Sequence, residues 1–297
     1  MDNRFRGLGV ALVTPLTAHG AIDFDALAMV VEHQVAGGID YLVVMGTTGE
    51  SATLTAEEQQ QVLARVLKTV ANRVPVVLGI GGNNTSAVAA RMQALNFDGV
   101  DAILSVSPYY NKPTQEGIYR HYEALAKVSP RPIILYNVPG RTMSNMAAET
   151  TLRLARDHKQ IIGIKEASGN LDQIGMILKH RPKDFLVISG DDALTLPILA
   201  MGGDGVISVV GNALPAEFAR LVHAAMKGDF TMAREEHLRL IEVISLLFAE
   251  GNPGGIKEAL KILGLCGHHL RLPLVPVGDG TAKKLRQALV DANVVKA

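Results

Sequence analysis

Two polar side chains each end an apolar run in the middle of the chain. Lys165 follows the apolar residues of "IIGI" at 161–164, and Tyr136 follows "PIIL" at 132–135. The neutral amine of a lysine adds to a carbonyl group to form a Schiff base, and apolar surroundings favour that neutral form. A phenol nearby can transfer the protons that imine formation requires. The two residue types therefore predict Schiff-base chemistry, with a solvent-exposed or salt-bridged lysine as the alternative.

Two glycine-rich loops are suited either to bind small anions or to form simple turns, and a third segment offers a cation. "GTTGES" at 46–51 offers hydroxyl and backbone N–H donors to a carboxylate, and it lacks the GxxxxGK[ST] phosphate-binding pattern. "GIGGNN" at 79–84 has Asn84 where a dinucleotide-binding fingerprint needs its third glycine. Arg141 follows a Pro-Gly turn that can direct its guanidinium at a substrate carboxylate, although a solvated surface arginine is the alternative.

The elements that must position these groups alternate between strand and helix. Short β-branched runs begin at Leu8, Tyr41, Val74, Val100, Arg131, Ile161, Phe185 and Gly205. Runs without polar alternation indicate strands that are covered on both faces, as in parallel sheets. Eight such units predict an α/β fold, a (β/α)8 TIM barrel, with an open doubly wound sheet as the alternative. Chemistry in such barrels occurs at the carboxyl ends of the strands, and neighbouring strands lie about 4.8 Å apart, so Lys165 and Tyr136 would share one pocket.

The helical signals divide the chain into two parts. One helix is predicted where Val62, Val66 and Val70 follow a capping box formed by Thr55 and Glu58. After the eighth strand signal only helical patterns follow, such as "PAEFARLVHAAMKGDF" and "TMAREEHLRLIEVISLLFAE". We therefore expect a barrel with the active site at 1–213 and a C-terminal helical extension at 214–297.

Composition narrows the kinds of ligand. The 297 residues include 29 acidic and 29 basic side chains, so a nucleic-acid partner is not expected and small molecules are. No signal peptide or run of roughly 18 apolar residues is found, which predicts a cytoplasmic protein that does not enter a membrane. The single cysteine excludes an internal disulfide. The adjacent ligand types in "CGHHL" at 266–270 do not fit a tetrahedral metal site, so we expect no metal.

Five motifs, in this order, extend over nearly the whole chain: "GTTGES", "SPYYNKP", "YNVPGRT", "GIKEASG" and "GDGVISV". Together they resemble the dihydrodipicolinate synthase and N-acetylneuraminate lyase family of pyruvate-dependent class I aldolases. The resemblance implies an enzyme that condenses pyruvate with L-aspartate 4-semialdehyde, with cyclisation and loss of water, on the route to diaminopimelate and lysine. It implies no metal and no organic cofactor.

The resemblance also implies roles for individual residues. Lys165 matches the Schiff-base lysine, and Tyr136 matches a proton-transferring tyrosine whose relay partners are Thr48 and Tyr110. The residues implied in catalysis are Lys165, Tyr136, Thr48, Tyr110 and Thr47. Those implied in substrate binding are Thr47, Thr48, Arg141, Ile207 and Gly190. In the family the second tyrosine is lent across a tight dimer interface, which implies a homotetramer built as a dimer of dimers in which Tyr110 serves the neighbouring subunit.

Two alternatives remain open from the sequence. One is another pyruvate-dependent aldolase, such as an N-acetylneuraminate lyase or a 2-keto-3-deoxy sugar acid aldolase, although "GRT" at 140–142 favours the synthase. The other is a non-catalytic small-molecule-binding barrel in which Lys165 is only a salt-bridge partner.

Overall fold

Eight parallel strands form a closed barrel in the computed structural model, which describes residues 3–296. Each strand pairs with the next one along the chain, and β8 pairs with β1. The closed order confirms the TIM barrel over the open sheet. The strands are β1 Gly7–Ala11, β2 Tyr41–Val44, β3 Val76–Gly79, β4 Ala102–Val106, β5 Ile133–Asn137, β6 Ile161–Glu166, β7 Leu186–Ser189 and β8 Gly205–Ser208.

Helices follow every strand of the barrel. The helices are α1 Phe24–Ala36, α2 Ala56–Val70, α3 Thr85–Ala94, α4 Gln115–Val128, α5 Pro139–Thr142, α6 Ala148–Asp157, α7 Leu171–His180, α8 Thr195–Ala200, α9 Pro215–Met226, α10 Phe230–Phe248, α11 Gly254–Ile262 and α12 Asp279–Asp291. None of those within residues 3–296 combines the length and the apolar composition that crossing a bilayer requires.

Helix α2 forms as its sequence predicts. The Thr55 hydroxyl accepts a hydrogen bond from the Glu58 backbone N–H, and the Glu58 carboxylate accepts one from the Thr55 N–H. This capping box satisfies two of the backbone donors that a helix start leaves free. Val62, Val66 and Val70 are buried against the barrel. The capping box and the apolar repeat are both confirmed.

Strand register brings the two candidate catalytic residues side by side. Tyr136 on β5 lies directly opposite Lys165 on β6. Alternate residues of a strand face the same side, and Tyr136 shares the barrel interior with Ile134 and with Ile207 of β8. The two side chains therefore lie at one height, at the carboxyl ends of neighbouring strands.

The C-terminal helices cover the barrel in two stages. Helix α9 packs against β1, α1 and α8, in the place of the eighth helix of the barrel, and α10 packs on α9. Helices α11 and α12 pack on α10 and on each other. The division after residue 213 remains a prediction, with α9 on its C-terminal side.

Candidate active site

A cavity of about 640 Å³ lies at the carboxyl ends of the strands, where barrel chemistry is expected. It is large enough to hold two small substrates together. Its inner part is lined by strand ends and the loops that follow them, and its outer wall is supplied by helix α10. The polar residues that line it are Thr47, Thr48, Tyr136, Arg141, Lys165, Asp191, Ser245 and Asn252.

Lys165 and Tyr136 meet at the base of this cavity. Only 5% of Lys165 is exposed, and its Nζ lies 4.5 Å from the centroid of the Tyr136 ring. Within residues 3–296 no carboxylate pairs with this amine, which lies over the aromatic ring. A lysine amine that faces a cavity without an ion-pair partner is accessible as a nucleophile. The arrangement is therefore suited to attack on a carbonyl carbon.

Gly190 leaves the space that the Lys165 side chain occupies. A Cβ atom at residue 190 would lie 2.7 Å from the Cβ of Ala167 and 3.0 Å from the Cε of Lys165. Contacts under about 3 Å between carbon atoms are repulsive, because the favourable separation is about 3.5–4.0 Å. Glycine at the end of β7 therefore allows the lysine to extend into the cavity.

The loop after β2 supplies the two threonines. Residues 47–49 form a single 3-10 turn, in which Thr48 is buried and Thr47 is exposed at the cavity wall. The Thr48 hydroxyl accepts a hydrogen bond of 2.9 Å from the Nδ2 of Asn252. Two hydroxyls and the backbone of this turn face the same space as Lys165. The turn can therefore donate hydrogen bonds to a carboxylate bound beside the amine.

Arg141 lies at the rim of the same cavity, on the short helix α5. Pro139 at the first turn fixes the start of this helix, directly after β5. The guanidinium is exposed, and in the part of the chain that the structure describes it forms no ion pair. It is therefore free to receive a carboxylate with two parallel hydrogen bonds.

Two of the predicted residues lie outside the lining of the cavity. The side chain of Ile207 is buried in the barrel interior beneath it, packed with the cluster that includes Tyr136 and Ala11. Tyr110 is 88% exposed, in the loop after β4. The structure thus brings together Lys165, Tyr136, Thr47, Thr48, Arg141 and Gly190, while Ile207 supports them from below and Tyr110 points to the surface.

The cavity contains residues that the sequence did not single out. Helix α10 contributes Ile241, Ile244 and Phe248 to its outer wall, and Asn252 follows from the connection to α11. The sequence could have indicated that α10 lines the cavity through the apolar residues Ile241 and Phe248, which lie beside the buried face of the helix. Asn252 stands in "NPGG", which reads as a turn and carries no chemical signal of its own.

A buried polar network holds the two strand ends behind the site. Asn137 and Glu166 follow Tyr136 and Lys165, and the Asn137 Nδ2 donates to both carboxylate oxygens of Glu166 at 3.1 Å. The Ser168 N–H also donates to Glu166. Burial raises the pKa of Glu166, while these hydrogen bonds act in the opposite direction. The bond between the two strands fixes the relative height of the tyrosine and the lysine.

A second buried carboxyl joins the loops after β7 and β8. The Oδ2 of Asp192 accepts hydrogen bonds from the backbone N–H groups of Val209 and Val210 at 3.0 and 3.1 Å, and its Oδ1 has no partner among the described residues. Burial raises the pKa of Asp192 from 3.8 to about 6. The native protein therefore binds this proton more tightly than the unfolded chain does.

This difference predicts a pH-dependent stability. Because the native state holds the proton of Asp192 up to about pH 6, the contribution of this group falls as pH rises from about 4. Asp192→Asn removes the titration, so its stability relative to the unsubstituted protein should increase by roughly 2 kcal/mol between about pH 4 and pH 7. Urea unfolding at several pH values measures the difference, and a constant difference would contradict the prediction.

The fold and the site together define a barrel enzyme that acts on small molecules with residues at its strand ends. Among residues 3–296 no group of three or more His, Cys, Asp or Glu side chains is arranged to hold a metal ion. Residues 4–292 match the model of the dihydrodipicolinate synthetase family, and the chain belongs to this family. The resemblance that the five motifs carry is confirmed.

Individual relatives support the same assignment over nearly the full length. The chain is 51% identical over 288 residues to the 4-hydroxy-tetrahydrodipicolinate synthase of Parabacteroides distasonis, with 97% of each chain covered. The dihydrodipicolinate synthase of Thermotoga maritima superposes with a TM-score of 0.96 at 39% identity, covering 98% of this chain and 100% of the other. The dihydrodipicolinate synthase of Acinetobacter baumannii, solved in complex with pyruvate, superposes with a TM-score of 0.94 at 37% identity, covering 98% of this chain and 99% of the other. These matches confirm an enzyme of this family and the synthase activity for which its relatives are named.

Proposed function

We propose that this enzyme joins pyruvate, held as a Schiff base on Lys165, to L-aspartate 4-semialdehyde. The observation that carries the proposal is a buried amine beside a phenol in the cavity, which no carboxylate of residues 3–296 pairs with. Pyruvate supplies the ketone that such an amine attacks. A relative of this chain has been solved in complex with pyruvate.

In the proposed reaction every covalent intermediate is attached to Lys165. The Nζ of Lys165 adds to C2 of pyruvate, and the adduct loses water to give the imine. Loss of a proton from the methyl carbon gives an enamine, whose carbon attacks the aldehyde of the second substrate. The amino group of that substrate then attacks the imine carbon, which closes the ring and releases Lys165. One water is lost overall, in the first step.

The remaining residues have roles that follow from their positions. Tyr136 lies against the amine and transfers protons as the imine forms and breaks. Thr47 and Thr48 donate hydrogen bonds to the pyruvate carboxylate, and Arg141 at the rim receives the carboxylate of the semialdehyde. Gly190 gives the lysine its space, and Ile207 forms the floor under the pyruvate site.

The role that we propose for Tyr110 in proton transfer requires a second subunit. Its ring is almost fully exposed, with φ of 71°, in a loop that Asn83 and Asn111 hold by hydrogen bonds of 3.1 and 3.0 Å. A left-handed backbone in a non-glycine residue indicates a constrained position. We propose that Tyr110 completes the proton relay of a neighbouring subunit in a homotetramer made of two dimers. A fully active monomer in sedimentation at assay concentration would contradict this assembly.

The biosynthetic role also suggests a location. Pyruvate and the semialdehyde are small metabolites, and the single cysteine fits a reducing compartment. We therefore propose a cytoplasmic enzyme.

Borohydride trapping tests the function directly. The purified protein is treated with borohydride with and without pyruvate, and its peptides are analysed by mass. We expect a mass gain on the peptide that contains Lys165 only when pyruvate is present. Separate assays then offer aspartate semialdehyde, N-acetylmannosamine or the aldehydes of 2-keto-3-deoxy sugar acids, and we expect turnover with the first. No trapped lysine would end the proposal, and trapping with turnover of a sugar aldehyde would move the enzyme to another aldolase activity.

A further inference from the structure

Asn252 contacts the proposed relay from the C-terminal extension. It lies between α10 and α11, it is only 8% exposed, and it lines the cavity. Its Nδ2 donates to the Oγ1 of Thr48 at 2.9 Å, across 204 residues of sequence. Its Oδ1 is buried without a partner in the described part of the chain. A buried amide that keeps one group unpaired in order to make this contact is costly, so the contact requires an explanation.

The direction of this hydrogen bond determines what the Thr48 hydroxyl can do. A hydroxyl has one proton to donate and two lone pairs that accept. When the oxygen accepts from Asn252, its own proton remains free for another acceptor in the cavity. Tyr136 lines the same cavity as Thr48, so the acceptor that we infer is the Tyr136 oxygen or the carboxylate of a substrate bound there.

We propose that Asn252 is a positioning residue that directs the proton of the Thr48 hydroxyl into the active-site cavity. This inference rests on the proposed function, because the direction of the Thr48 proton matters only if Thr48 takes part in the proton relay. It also gives the extension a second role beside the wall that α10 provides.

The rest of the turn is held independently of Asn252. Glu50, two residues after Thr48, pairs with Lys257 of α11, and neither side chain is exposed. The Thr14 hydroxyl donates to the Gly49 carbonyl at 2.7 Å. Because these contacts fix the backbone of the turn, a change at residue 252 should alter the hydroxyl and leave the position of the loop unchanged.

Two substitutions of similar volume distinguish the loss of the hydrogen bond between Asn252 and Thr48 from a reversal of its direction. Asn252→Asp gives a side chain of the same shape that, when ionised, can only accept, so Thr48 must turn its proton away from the cavity. Asn252→Leu leaves the hydroxyl without a partner and free to rotate. We expect kcat to fall by about 10²-fold in Asn252→Asp and by about tenfold or less in Asn252→Leu.

The pH profile gives a readout that a structural role alone would not change. A protonated carboxyl can donate to Thr48 again, so the deficit of Asn252→Asp should shrink as pH falls, whereas that of Asn252→Leu should stay constant. The titratable or charged groups that share the cavity or the turn are Lys165, Tyr136, Arg141, Asp191, Glu50 and Lys257. All of them are present in both variants and in the unsubstituted enzyme, so ratios of kcat cancel their contributions.

A double-mutant cycle tests whether Asn252 acts through Thr48. In a Thr48→Val background, Asn252→Asp should cause little further loss, because the hydroxyl that it misdirects is gone. Should Asn252→Asp fail to fold, as judged by its circular dichroism, the same cycle with Asn252→Leu decides the question. Full additivity in the cycle would overturn the proposal.

The outcomes separate this proposal from the function on which it rests. Equal losses in the two variants with parallel pH profiles would mean that Asn252 only fills space. An Asn252→Asp enzyme as active as the unsubstituted one would mean that Thr48 donates to Asn252, the opposite arrangement. Either result, in an enzyme that still forms the pyruvate adduct, overturns this proposal alone. If the unsubstituted protein forms no adduct, the proposed function and this inference fail together.

Discussion

Lys165→Arg should abolish pyruvate-dependent trapping and lower kcat by at least about 10³-fold, the order of loss expected when a nucleophile is removed. Arginine preserves a long basic side chain, but its guanidinium is not deprotonated in proteins and forms no imine with pyruvate. The loss therefore reports the removal of the nucleophilic amine. Steady-state assays and borohydride trapping on the same preparation provide the measurement.

The segment that precedes the same strand offers a matched control. Lys159 is exposed and precedes β6 at the opposite, amino end of the barrel. Lys159→Arg should retain both the trapped adduct and the activity. Because the guanidinium is bulkier than the amine and is charged in a buried site without a partner, Lys165→Arg should also be less stable, so its folded state is confirmed by circular dichroism at the assay temperature. Adduct formation on a different lysine in Lys165→Arg would contradict the assignment of the nucleophile.

The barrel could be predicted because its determinants are local. Each strand is a short apolar run, each helix repeats its apolar residues at helical spacing, and α2 even shows its cap in the sequence. The order of elements then restricts the topology to few choices. Lys165 and Tyr136 were predictable for the same reason, since each directly follows such a run.

Other parts of the site depend on contacts that no local pattern encodes. Asn252 and Thr48 meet only after the barrel closes and the C-terminal helices pack on it. Gly190 has a role that depends on where the Lys165 side chain passes, which requires atomic distances. Tyr110 is 88% exposed and does not line the cavity of its own chain, so the role that we propose for it depends on a neighbouring subunit.

The pairing of Glu50 with Lys257 is the clearest example of such a contact. Lys257 lies in "GGIKEALKI", where a lysine would usually be assigned to the solvent face of a helix. In the structure it is fully buried, and its Nζ donates to Glu50 and, at 2.7 Å, to the carbonyl of His269. Glu50 also accepts from the Arg271 N–H at 3.1 Å. Burial lowers the pKa of Lys257, and the facing carboxylate opposes that effect.

This pair leads to the largest expected effect on stability. Glu50→Gln or Lys257→Met should each lower the free energy of unfolding by roughly 3–5 kcal/mol, because either change leaves a buried charge without its partner. The double substitution should cost less than the sum of the two, since it removes both charges. Urea denaturation measures these differences as shifts of the midpoint at constant slope.

An exposed pair provides the control for the buried one. Arg120 and Glu116 form an ion pair on the surface of α4, with both side chains more than half exposed. Glu116 also pairs at 2.6 Å with Arg153, whose side chain is 48% exposed. Glu116→Gln should therefore leave the unfolding midpoint nearly unchanged, since water replaces both exposed partners. A midpoint shift in Glu50→Gln no larger than that in Glu116→Gln would contradict the prediction. Glu50 directly follows the turn that carries Thr47 and Thr48, so the destabilised variants should also lose activity below their unfolding transitions. The ion pair would then link the helical extension to catalysis, in addition to the contact of Asn252 with Thr48.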